Sequence, residues 1–283
     1  MRVFGLFILF FLTCAPIGAS ADSVKQAAIV IIIDDLGNNF PLGMRAINLP
    51  GPITYAVLPH RPHSAKLATA AHQSGKEVML HMPMENTQGH NIGVGGLTAQ
   101  LDHNAFEHQI NRAINSVPFI QGINNHMGSR LTQDSDKMGW LMELLKKYPL
   151  YFVDSRTSAH SIAGNIAVGK NIPSLDRDVF LDHDDDPKAI AIQFKRLLKI
   201  ARERGTAVAI GHPYLSTLGY LENVLPKLDA LGIKLVSPSG LLLIKNQQAA
   251  QSTLPQTITA SLPNTVDRCR IIEQVDVTRV SCT

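Results

Sequence analysis

No run of lysine or arginine concentrates the net charge of +3 in this 283-residue chain, so it carries no nucleic-acid footprint. Aromatic residues are few at 6%, and Trp140 is the single tryptophan, which argues against a strong stacking platform for sugars. Cysteine is scarcer still. Of three, Cys14 lies in the leader, leaving Cys269 and Cys282 near the C-terminus. In an oxidising compartment that pair is expected to close a small loop as a disulfide rather than act as reactive thiols. No apolar run reaches the ~20 residues that span a bilayer as a helix.

What is present begins with an export signal. Arg2 precedes an apolar stretch from Val3 to Leu12, and Ala19-Ser20-Ala21 offers a small-x-small cleavage site before Asp22. The expected organisation is a signal peptide at 1–21, a catalytic domain at 22–245 and a polar tail at 246–283. Gln247 to Thr265, rich in Gln, Ser, Thr and Ala, reads as a linker or loose tail. A periplasmic location is expected, with no membrane span once the leader is removed.

Between these ends, short apolar runs alternate with helical stretches. Ala28–Ile33, Ile53–Leu58, Glu77–Leu80, Ile120–Asn124, Leu150–Val153, Asp178–Leu181, Thr206–Ile210 and Lys234–Val236 read as strands. Helices are predicted over Ser64–Ser74, Asn104–Val117, Ser135–Lys147, Ser161–Gly169, Pro187–Arg204 and Leu221–Leu231. Continuous apolar strands separated by helices imply a parallel sheet covered on both faces. Seven or eight such units predict an α/β fold, a distorted or incomplete (β/α)7-8 barrel.

The residues that end these strands carry the chemistry. Asp34-Asp35 ends the first, His81 the third, His126 the fourth, Asp154 and Arg156 the fifth, and His212 the seventh. In a parallel barrel all C-terminal strand ends open on one rim, where active sites sit. A carboxylate and two histidines with an open position form a common catalytic zinc set. Asp35, His81 and His126 can supply it, with Asp34 as general base, His212 as general acid and Asp154 orienting an imidazole or a ligand. Neighbouring residues on a strand point in opposite directions, so Asp34 and Asp35 share a site only if the chain turns; Gly37 permits such a turn. Other readings stand beside these. Asp34-Asp35 can cap a helix, His81 can be a core histidine, and Asp154 can simply pair with Arg156. Asp182-His183-Asp184-Asp185-Asp186 reads first as an acidic helix N-terminus, with Asp182 also placed to reach the rim. Glu85, Ser129, Arg130 and Arg156 are candidates to grip substrate oxygens.

The segments Ile33-Asp34-Asp35-Leu36-Gly37, Leu80-His81-Met82-Pro83-Met84-Glu85, Asn124-Asn125-His126-Met127-Gly128-Ser129-Arg130, Val153-Asp154-Ser155-Arg156 and Ala209-Ile210-Gly211-His212 occur in this order. They resemble the divergent polysaccharide deacetylases, relatives of the NodB-type carbohydrate esterases, over roughly Ala27 to Leu243. The resemblance implies a NodB-type barrel, a first aspartate acting as base, a second binding metal and a last histidine acting in catalysis. It also implies removal of N-acetyl groups from a polysaccharide or peptidoglycan-type substrate with a divalent metal, zinc being the expected one. The usual pair of histidines one helical turn apart and the Arg-x-Pro-Tyr segment are absent. An amidase, an O-acetyl esterase, or a non-catalytic glycan- or partner-binding protein on the same barrel are the alternatives.

Overall fold

The computed structural model describes residues 26–253; the expected leader at 1–21 and the Cys269–Cys282 pair lie outside the described residues. The chain runs β1 (Ala27–Leu36), α1 (Phe40–Ile47), β2 (Thr54–Val57), α2 (Ser64–Gln73), β3 (Glu77–Met84) and α3 (His103–Ser116). It continues through β4 (Ile120–Met127), α4 (Ser135–Leu145), β5 (Tyr151–Asp154), α5 (Ala163–Gly169), β6 (Ser174–Asp176) and β7 (Val179–Phe180). It ends with α6 (Pro187–Arg204), β8 (Thr206–Gly211), α7 (Leu215–Val224), β9 (Ile233–Leu235) and α8 (Pro238–Thr253). The described residues divide into two units at Ile244, and every candidate site residue lies in the first. Among the described residues no helix is long and apolar enough to cross a membrane.

All strands are parallel, in one sheet of order β6-β5-β4-β3-β2-β1-β8-β7, which is the incomplete barrel expected. β1 is its centre. One edge pairs with β8 from Ala28 to Ile33; the other pairs with β9 over its first residues and with β2 further on. Alternation along β1 sorts its side chains between two cores. Ala28, Val30 and Ile32 point into the barrel with Met79, Tyr151, Val153, Val208 and Ile210, where Leu241 of α8 joins them. Ile29, Ile31 and Ile33 face outward, where Leu67, Phe106, Leu141, Phe194 and Leu218 of the helices cover them. Each fully buried isoleucine contributes roughly 2 kcal/mol of hydrophobic stabilisation. The inner space is tight at Gly122, where an added Cβ would stand 2.3 Å from the Tyr151 ring.

The two outermost strands are consecutive in the chain. β6 at one edge and β7 at the other are separated only by Arg177 and Asp178. Arg177 N–H donates to the Asp154 carbonyl and Asp178 N–H to that of Val208, so two residues cross the seam of the barrel.

Several elements differ from the sequence-based expectation. α1 was not expected; Asn39 caps it by accepting from Leu42 N–H, and Pro41 enters its first turn. The three-residue β6 was also missed. The helix expected at Leu221–Leu231 starts earlier, at Leu215, and gives way to 3-10 turns at Leu225–Lys227 and Asp229–Leu231, where Pro226 cannot continue the α pattern. α8 continues to Thr253, through the start of the expected linker, where alanine and glutamine favour helix. α6 matches its expected bounds; Asp186 accepts from Lys188 and Ala189 N–H, and Gly205 closes the helix with φ of 84°.

Candidate metal centre

The inward face of the barrel continues upward into polar side chains. On β1 the series 28, 30, 32 leads to Asp34; on β3 Met79 leads to His81; on β8 Ile210 leads to His212. β3 and β4 run longer than expected, so His81 and His126 lie within strands rather than after them. On β4, Asn124 and His126 share the inward side with Gly122. By alternation Asp35 would face the helices. It does not, because its own φ is +63° and the β1–β2 register shifts between Ile33 and Leu36. The turn that brings the two aspartates together is therefore made at Asp35 itself. Gly37 comes next in the turn at φ +134°, with Arg61 Cβ and Ser64 Oγ 3.0 Å from where a Cβ would be.

Asp35, His81 and His126 each offer one ligand atom, and these atoms lie within 4.8 Å of one another. Asp35 Oδ1 is 3.2 Å from His81 Nε2 and 2.9 Å from His126 Nδ1, and the two nitrogens are 3.1 Å apart. Asp35 Oδ1 is nevertheless buried without a properly angled hydrogen bond. Three converging ligand atoms, one of them an unsatisfied carboxylate oxygen, are what a divalent cation fits.

Asn124 orients two members of this group. It is fully buried, its Nδ2 donates to Asp34 Oδ1 at 2.9 Å, and its Oδ1 accepts from His81 Nδ1 at 2.8 Å. With a proton kept on Nδ1, the neutral ring presents its Nε2 lone pair toward Asp35 and His126. Asp34 Oδ2 stands 3.6 Å from the same Nε2. Across the opening, His212 Nε2 is 3.9 Å from Asp35 Oδ2. Its Nδ1 lies 3.0 Å from Asp182 Oδ1. Asp182 also accepts from His212 N–H at 2.6 Å and from the Thr217 hydroxyl at 2.7 Å. The imidazole is flanked by Phe180 and Tyr214, with ring centroids at 5.2 and 5.4 Å.

Burial raises the Asp34 carboxyl above its ordinary range, partly offset by the charges of His81 and His212 and by Asn124. Burial would raise Asp35 as well, but the facing imidazoles of His126 and His81 outweigh it and hold that carboxyl well below its usual value. Burial works against protonated His81, yet Asp34 and Asp35 keep its pKa raised, so a cation that takes Nε2 must displace a proton. His212 behaves alike: burial is overcome by Asp182, then by Asp35 and Asp34, and the imidazole is pushed up to about 9.

The remaining sequence candidates fall elsewhere. Asp154 lies one residue beyond inward-facing Val153, so it points outward. It accepts from Arg156 N–H, the Ser161 hydroxyl and Gly164 N–H, and thereby holds the β5–α5 loop. The orienting role expected of it is taken by Asp182 for His212 and by Asn124 for His81. Arg156 donates to the carbonyls of Ser161 and Ala159. Glu85 pairs with Arg130 at 2.7 Å and accepts from Ala99 N–H, while Ser129 accepts from Thr87 N–H. Glu85, Ser129 and Arg130 tie the β3–α3 loop to the turn after β4. Asp182 was read first as part of an acidic helix start, with a place on the rim as the second reading, and its role beside His212 was not foreseen. Asn124 carried no signal, because asparagine at a strand end is ordinary.

Comparison with known proteins places the chain that carries this geometry. The divergent polysaccharide deacetylase family matches residues 31–242, and the chain belongs to that family. Among curated relatives, it is 35% identical over 252 residues to the uncharacterized protein YibQ of Escherichia coli (strain K12), covering 89% of this chain and 78% of that one. It is 32% identical over 243 residues to an uncharacterized Haemophilus influenzae protein, covering 82% and 87%. Among solved structures, ATU2773 of Agrobacterium tumefaciens C58 superposes with a TM-score of 0.73 at 23% identity, covering 76% of this chain and 89% of that one. T48 deacetylase with substrate superposes with a TM-score of 0.50 at 15% identity, covering 79% and 94%. These structural likenesses show the shared NodB-type fold.

Proposed function

We propose that this protein is a divalent-metal-dependent hydrolase that removes N-acetyl groups from an envelope polysaccharide, working in the periplasm to which its leader sequence directs it. The observation that carries the reading is the convergence of Asp35, His81 and His126 on one point, with a buried carboxylate oxygen left unsatisfied there. Family membership supports the reaction class. A divalent cation held by these three residues would supply a Lewis acid for the acetyl carbonyl and a water of lowered pKa, and zinc suits the nitrogen and oxygen donors.

The chain's own groups divide the proton work. Asp34, raised by burial and held by Asn124, accepts the proton of the attacking water as its oxygen bonds to the carbonyl carbon. His212, kept protonated by Asp182, gives its proton to the departing nitrogen as the carbon–nitrogen bond breaks. The products are acetate and a free amine. Asp182 keeps Nδ1 occupied, so Nε2 is the nitrogen that faces the opening.

The test is metal content of the purified protein, and then acetate release from N-acetylated glycan fragments. The reading requires about one zinc per chain, lost in folded Asp35→Ala and His126→Ala, and acetate in step with free amine. A wild-type protein that takes up no metal from zinc buffer removes the hydrolase mechanism. Metal binding without any acetate release would turn the barrel into a binding module.

A further inference from the structure

The rim beside His212 carries an aromatic feature that the scarcity of aromatics in the sequence concealed. Four groups lie in one stack. The Arg177 guanidinium sits 4.9 Å from the Phe180 ring centre, and Phe180 and Tyr214 both lie against His212, Tyr214 at an interplanar angle of 29°. Arg177 is anchored by donating to the carbonyls of Ser155 and Arg156. Tyr214 ends the stack and is 42% exposed; Leu215 beside it is 64% exposed. Among the described residues this is the one place where two consecutive large apolar side chains are exposed. A contrasting case, Phe119, is stacked against His72 just before β4 begins, at the opposite end of the barrel.

We propose that Tyr214 is the specificity-determining platform of the site, on which the apolar face of a neutral hexosamine ring rests while its N-acetyl group reaches the Asp35–His81–His126 centre. The inference rests on the hydrolase reading for the reaction, but not for the binding. An aromatic face is negative and attracts the C–H face of a sugar, and its stiff ring loses little conformational freedom on contact. The surroundings favour a neutral chain over an anionic one. Asp184, Asp185 and Asp186 come closely after Asp182, and Ser216, two residues after Tyr214, hydrogen-bonds Asp185. The tyrosine hydroxyl itself feels Asp182, Asp35 and Asp185, which with burial raise its pKa. A uronic-acid or phosphate polymer would meet that field on the side where the ring must lie. Because Tyr214 stacks on His212 with ring centres 5.4 Å apart, a sugar resting on Tyr214 is held close to the acid.

The experiment uses the full mature chain, zinc-loaded, with tetra-N-acetylchitotetraose as the probe. Binding is measured by calorimetry and turnover by acetate release, for wild type, Tyr214→Phe and Tyr214→Ala. The platform predicts that Tyr214→Phe binds within about twofold of wild type. Tyr214→Ala should bind about tenfold more weakly, equivalent to about 1.4 kcal/mol, with the loss in KM and kcat changed far less. Equal binding by wild type and Tyr214→Ala overturns the platform, even if acetate is released. A loss confined to kcat also overturns it, since that would make Tyr214 only a support for His212. If wild type binds without releasing acetate and Tyr214→Ala loses the binding, the platform stands and the hydrolase reading falls. If wild type neither binds nor turns over the probe, the hexosamine platform is wrong.

Discussion

Replacing Asp182 by asparagine tests the acid half of the site most directly. The substitution keeps the shape of a side chain that is fully buried and accepts from His212 N–H, the Thr217 hydroxyl and the His212 ring. It removes the charge that holds the imidazolium. His212 is 14% exposed, and its rise from 6.5 to about 9 corresponds to about 3 kcal/mol in favour of the protonated ring. Asp182 leads the groups that offset burial, ahead of Asp35 and Asp34. In Asp182→Asn, His212 should therefore titrate within about one pH unit of its ordinary 6.5, or below it. The assay is an NMR titration of the imidazole nitrogens in EDTA-treated protein, from about pH 5 to about pH 10. Stability should move with the same group. A pKa raised on folding gives wild type stability that is complete below about 6.5 and lost as pH rises through about 9, whereas the variant should lose most of this His212 contribution. If His212 in Asp182→Asn still titrates near 9, the proton is held by Asp34 and Asp35, and the assignment of Asp182 as its partner is wrong.

Asn124→Leu strips His81 of its Nδ1 acceptor and Asp34 of its donor; zinc affinity by competition with a chromophoric chelator should fall about 10- to 100-fold, and an unchanged affinity would remove Asn124 from the site. Asp154→Ala should lower stability in urea by about 3 kcal/mol, since it leaves buried donors unpaired, while the folded fraction keeps its full metal content. Gly122→Ala forces a Cβ to within 2.3 Å of the Tyr151 ring inside the barrel and should cost about 1–3 kcal/mol, read as a lowered melting temperature.

Much of this site could be read from the order of the strands and the polar residues at their C-terminal ends. Asp34, His81, His126 and His212 share the inward side of their strands, so a parallel barrel brings them together almost regardless of loop detail. Asp35 was assigned to the same point for a chemical reason, but its route there is a left-handed residue and a register shift, which alternation cannot foresee. Asp154 shows the opposite. Its place after an apolar strand resembles that of Asp34, yet it is offset by one residue from the inward series that ends at Val153, and that offset sends it to the helices. Counting from Tyr151 and Val153 would have exposed this. Asp182 and Asn124 were obscured by ordinary surroundings, an acidic helix start and a run of asparagines. The missed α1 and β6 have only eight and three residues, too few to show a sustained period.

The two residues at the seam set a limit on how this molecule can breathe. Arg177 and Asp178 join the edge strands with little slack, three Cα–Cα steps that reach about 10–11 Å at full extension. The proposed metal ligands hang from β1, β3 and β4, and the proposed proton donor and its aspartate from the ends of β8 and β7. A hinge opening between these halves on the seam side would have to stretch that tether or tear Arg177 from Asp154 and Asp178 from Val208. If the substrate is a long polymer, as proposed, this tether would have it enter from above the rim, laid across it like a cord over a pulley, rather than through the wall.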